Sequence, residues 1–147
     1  MDARVAKLKS VSECEAFARN ARARILPELA DQALKRSVEL QAEEHHTDSE
    51  VELECWKAIY AYEAVLSAKK GHRQPAARTR QMITKYGMIR AVERVVARKT
   101  DASGYTALVE MGLTDLAFEA VVLRHSEHFS ADAIARSSER LRPKGAE

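Results

Sequence analysis

Glycine, proline and cysteine are all scarce in this sequence, at five, three and two residues in a chain of 147. So few glycines and prolines leave little room for long irregular segments. The two cysteines, Cys14 and Cys55, lie far apart without CxxC spacing, so free thiols in a reducing compartment are expected rather than a disulfide framework. No stretch approaches about 18 uncharged apolar residues, so no membrane-spanning helix is expected. The opening MDARVAKLKSVSECEAF lacks the apolar run of a secretory signal and turns acidic early, which points to the cytoplasm. Period-two alternation is missing as well, so strands are not expected.

What is present is 46% hydrophobic and 31% charged residues, too apolar for a disordered chain. A chain of this length can bury a core without a metal or disulfide staple. The expected organisation is a single domain over residues 1–147, with a candidate subdivision at the linker 71–75.

The apolar residues recur at helical spacing. Cys14, Phe17, Ala18, Ala21 and Ile25 share one face, and Ser12 with Glu15 offers a capping box. Pro27 suits the first turn of a second helix running to about His46. Together they predict an antiparallel hairpin, which resembles a tetratricopeptide-type helix pair. No second copy follows at about 34 residues, so no repeat is read. Thr47 and Glu50 mark a third helix, ended by Gly71. Pro75 opens a fourth, closed by Gly87, and Met88, Ile89, Val92, Val95 and Val96 form a fifth. Thr100–Gly104 reads as a loop, Tyr105–Met111 as a short helix before Gly112, and Thr114 or Asp115 as the cap of the next. Ser130 caps the last helix, Phe129 and Ile134 staple it, and Pro143 stops it. The expected fold is all-α, a compact multi-helix domain of seven to eight helices beginning with the hairpin.

Charge divides along the chain. Residues 37–63 hold eight acidic groups against one Lys, a net of −7, whereas residues 64–99 hold ten Lys and Arg against one Glu, a net of +9. Arg90, Arg94 and Arg98 recur every four residues, so a continuous helix would stack them about 6 Å apart on one face. Like charges at this spacing destabilise an isolated helix by about 0.2–0.5 kcal/mol per pair, a cost that a nearby anion offsets. The candidate phosphate-binding set is Lys69, Lys70, Arg73, Arg78, Arg80, Lys85, Arg90, Arg94 and Arg98, with Gln74, Thr79 and Gln81 as supplementary donors. The competing anion is the chain's own segment bearing Glu43, Glu44, Asp48, Glu50, Glu52 and Glu54. Residues 81–96 also read helix–Gly–helix, as in a helix-turn-helix, but Glu93 stands where that motif needs an apolar residue.

Motifs for catalysis are missing: no P-loop, nucleophile elbow, dinucleotide fingerprint or zincin sequence occurs. Glu43 and His46 have the Glu-x-x-His spacing of di-iron bundles, but the second copy that chemistry needs does not exist. His45 and His46 among carboxylates form a looser candidate for a divalent metal. His125 and His128, with Glu119, read as helix-end histidines interacting with exposed carbonyls. Cys14 and Cys55 sit on apolar faces, where a thiol packs as a small hydrophobe. Tyr86 and Tyr105 bracket the basic helix, and Trp56 and Tyr60 read as core or interface residues. The sequence therefore predicts a non-catalytic nucleic-acid-binding protein without cofactor. A helical adaptor or homo-oligomer with a charge-divided surface is the alternative, and a metal-dependent enzyme the third reading.

Overall fold

The computed structural model describes residues 1–98 and 103–141. Among them are nine α-helices, α1 (Ala3–Ala6), α2 (Val11–Ala23), α3 (Pro27–Glu43), α4 (Glu50–Lys70), α5 (Ala77–Tyr86), α6 (Met88–Val96), α7 (Ser103–Glu110), α8 (Phe118–Arg124) and α9 (Ala131–Leu141). Two 3-10 turns, Thr114–Leu116 and Ser126–His128, join them, and the described residues contain no strand. The architecture is all-α, and no helix among the described residues is long and apolar enough to cross a membrane. Pro143 and residues 100–102 of the expected loop lie outside the described residues, while Ser103 and Gly104 already belong to α7.

Caps explain several boundaries and move some. The N-cap of α2 is Ser10 rather than Ser12: its hydroxyl accepts from the Glu13 N–H at 3.1 Å, and Glu13 accepts from the Lys9 N–H at 2.8 Å. That reciprocal arrangement lies two residues before the expected box. The cap of α4 is Ser49, accepting from the Glu52 N–H at 3.2 Å, with Thr47 donating to the Glu52 carboxylate. Thr114 does not open α8; it begins a 3-10 turn, and Ala117 precedes Phe118 in extended backbone. Ser130 caps α9 as expected, its Oγ accepting from the Ala133 N–H at 3.1 Å. Buried Phe129 and half-buried Ile134 belong to one core cluster, as the staple requires.

Helix α2 ends in a Schellman motif, with Leu26 N–H donating to Ala21 O at 2.8 Å and Ile25 N–H to Arg22 O at 3.0 Å. Its left-handed residue is Ile25, φ 57°, and 85% of the side chain is exposed. Ile25 is therefore not on the buried face of α2, contrary to the periodic reading. The same motif ends α7, where Leu113 donates to Leu108 O at 2.8 Å and Gly112 to Val109 O at 3.1 Å, with Gly112 at φ 70°.

Helix α4 is the axis of the fold, packed by α3, α6, α7 and α8. Its buried residues Val51, Cys55, Ala58, Ile59, Ala61 and Val65 spread around the helix instead of along one stripe, as suits a helix covered from several sides. One apolar cluster joins the first half of α4 to α6, α8 and α9 through Ile59, Val92, Val96, Val122 and Ala133. A second joins its other half to α3 and α7 through Val38, Val65, Leu108 and Leu113. Truncating fully buried Ile59 to Ala would cost about 2–5 kcal/mol. Helices α2 and α3 meet through Ala18, Ala21, Ala30 and Ala33, whose small side chains let the backbones approach closely.

Candidate nucleic-acid interface

Helices α5 and α6 form a pair joined at Gly87, whose φ of 88° and ψ of 165° suit a residue without a Cβ. A Cβ there would meet nothing within 4 Å, so backbone conformation rather than space calls for glycine. Helix α5 buries Thr79 and half-buries Met82 and Ile83, leaving Arg78, Gln81, Thr84 and Lys85 exposed on one side. Helix α6 buries Ala91, Val92 and Val96 and exposes Arg90 and Arg94. Tyr86 connects the two faces: the Arg94 guanidinium lies 3.8 Å from its ring centroid and the Lys85 ammonium 5.2 Å from it. Such exposed cation–π contacts contribute about 0.5–1 kcal/mol and leave the outer donors open. Tyr86 is thus a half-buried bridge between cations of successive helices.

The acidic segment does not neutralise this face. Glu39 pairs with Arg36 at 3.2 Å, and Glu54 pairs with Arg124 at 2.6 Å and with His125. Among the described residues, one ion pair links the acidic and basic segments: Glu63 takes Arg80 bidentately, at 2.7 and 3.0 Å. Arg78, Lys85, Arg90 and Arg94 have no ion-pair partner among the described residues. Glu93, the lone acid of the basic segment, accepts from the Ser130 N–H at 2.6 Å and so ties α6 to the start of α9.

The remaining candidates are placed differently. Lys69 and Lys70 are exposed in the last turn of α4, where their charge also complements the helix C-terminus. Arg73 is exposed in the linker, and Thr79 is buried. Arg98 lies beyond the end of α6 and is half-buried, so the three-arginine stripe reduces to Arg90 and Arg94. The carbonyls there are held by α9, with Arg136 donating to Ala97 O at 3.2 Å and Arg140 to Arg98 O at 2.7 Å.

Arg80 is the centre of a separate cluster that sequence reading did not assemble. Its guanidinium lies 5.3 Å from the Tyr60 ring and 5.8 Å from the Trp56 ring. His45 stacks on Trp56 at 3.6 Å, and its Nε2 lies 2.8 Å from the Tyr60 hydroxyl. The Glu63 hydrogen bonds hold the Arg80 pKa above its ordinary value. Desolvation and then the Arg80 charge hold His45 below its ordinary value. At Glu54, burial pushes the carboxyl up, but hydrogen bonds from His125 and Arg124 outweigh it and leave the group below the usual carboxylate range. His125 is therefore a buried partner of α4, not merely a helix-end residue. No composition or spacing signal joins residues so distant in sequence.

Both thiols are buried, and burial with the Glu54 and Glu52 charges pushes Cys55 up to about 12. Burial raises Cys14 as well. Among the described residues no group of three or more His, Cys, Asp and Glu is arranged to hold a metal ion. No protein-family model matches the chain, and no curated protein or solved structure matches it either.

Proposed function

We propose that the protein binds nucleic acid non-catalytically, with the exposed face of α5 and α6 neutralising phosphates. The carrying observation is the convergence of Lys85 and Arg94 on Tyr86, flanked by Arg78 and Arg90, without an acidic partner among the described residues. Arg supplies forked donors and Lys a point charge, the two ways side chains engage phosphate. Gln81, exposed on α5, adds a neutral donor, whereas the Thr84 hydroxyl donates to the Arg80 carbonyl at 3.2 Å. Phosphate contacts of this kind position a strand without reading its sequence.

The test is the salt dependence of binding to fluorescent double-stranded DNA and RNA, for wild type and the Lys85→Gln/Arg90→Gln/Arg94→Gln variant. On B-DNA the slope of log K against log salt should fall by about 0.9 for each lost contact. Unrelated sequences should weaken alike, and the exposed replacements should change stability by less than about 0.5 kcal/mol. An unchanged slope sinks the reading.

One observation favours a second reading. Glu43, Glu44, Asp48 and Glu50 are exposed without an ion-pair partner among the described residues, as the α5–α6 cations are. Opposite patches on one chain can pair head-to-tail between copies. Salt-sensitive self-association, lost in the same variant, without nucleic-acid binding at low salt would select this alternative.

A further inference from the structure

Helix α3 packs on both α2 and α4, and the three helices enclose an open groove of about 980 Å³. Small side chains make it deep: Ala18 on α2, Ala33 on α3, and Ala64 and Ala68 on α4, with Leu34 and Val38 adding apolar surface. Its charges are polarised. Arg19 and Arg22 stand where α2 ends, and His72 and Arg73 follow the end of α4. Glu15, one turn before Arg19, and Glu44, at the end of α3, line the groove away from that cluster. Among the described residues Arg19, Arg22 and Arg73 make no ion pair, whereas Arg80 and Glu63 within the groove neutralise each other.

We infer that this groove is a docking site for an acidic segment of a partner protein, seating small apolar side chains on the floor and carboxylates against Arg19, Arg22 and Arg73. Charge complementarity selects the occupant. An aliphatic trough favours side chains, and forked guanidiniums at one end favour carboxylates. Nucleic acid fits less well, because Tyr60 is the only Phe, Tyr or Trp in the groove lining and the Arg80 guanidinium already lies 5.3 Å from its ring. Glu15 and Glu44 would also repel a continuous line of phosphates, while they orient a peptide whose acidic end lies toward Arg22. The groove takes in Arg80 of α5 but none of Arg78, Lys85, Arg90 and Arg94, so its test does not depend on the phosphate-binding face.

A random peptide library displayed on phage, panned against the full chain, provides the test. Wild type should enrich peptides that combine carboxylates with apolar residues. Filling the groove with Ala68→Trp should abolish the enrichment. Charge reversal by Arg19→Glu/Arg22→Glu should weaken the best synthetic peptide by roughly tenfold or more and shift the enriched set toward lysine. Melting curves establish that each variant folds, and Ala68→Trp carries the test if the double variant does not. Enrichment that is absent, independent of acidic residues, or unaffected by filling the groove would overturn the inference. Displacement of the peptide by single-stranded DNA would also overturn it, assigning the groove to nucleic acid.

Discussion

Imidazole and indole meet face to face at His45 and Trp56, and the contact gives one residue a built-in reporter. The chain has a single tryptophan. Desolvation of the stacked ring and the Arg80 charge both disfavour a protonated His45. The sign follows: the unfolded chain takes up this proton more readily than the folded one. The contribution is therefore fully present above the ordinary pKa of 6.5 and is lost as pH falls through the lowered value. Tryptophan emission should titrate with a midpoint below 6.5, and His45→Phe should remove that titration. A midpoint at or above the ordinary value would contradict the geometry. Nothing in the spacing of His45 and Trp56 announces the stack; it requires the turn between α3 and α4 to fold back, with His46 at φ 49°.

Helical elements were legible where glycine punctuates them and less so where other residues do. Gly71, Gly87 and Gly112 all take positive φ and fall at helix ends, as read. Ile25 does the same work without the expected side chain, so a β-branched residue that looked like buried periodicity is the left-handed end of α2. The misread cap at Ser12 has a similar origin: Ser10 and Ser12 each have a Glu three residues on, Glu13 and Glu15, and only backbone geometry distinguishes them. The left-handed conformation costs an L-residue about 1–2 kcal/mol, partly offset because glycine loses more entropy on folding. Ile25→Gly should thus stabilise the protein by up to about 1 kcal/mol, since the exposed isoleucine gives up little packing. Urea denaturation measures it, and a clear loss of stability would show that the exposed side chain is held by something. The α5–α6 face was legible for the complementary reason: strong amphipathicity puts Arg90 and Arg94 opposite Val92 and Val96. Its limit was the end of α6, which leaves Arg98 outside the stripe.

At the scale of the molecule, the all-α class followed from local periodicity, but the partners of the charges did not. Charge counts treated residues 37–63 as a reservoir for the basic segment, whereas Glu54 goes to Arg124 and His125. This clasp joins residues 70 and 71 positions apart, and the separation bears on the order of assembly. The α2–α3 hairpin closes a short loop and can form early, while α4 must await α8 before Glu54 finds its donors. Contacts made after the rate-limiting barrier govern how fast the native state is lost. Removing this charge-assisted clasp by Glu54→Gln should cost about 1–3 kcal/mol. In stopped-flow experiments that cost should steepen escape from the folded state by roughly an order of magnitude or more, with refolding nearly unchanged. Slower refolding at an unaltered unfolding rate would instead place the clasp in the folding nucleus. On the expected course, the joint between distant halves of the chain acts as a brake on unfolding, setting the lifetime of the native state more than the speed of reaching it.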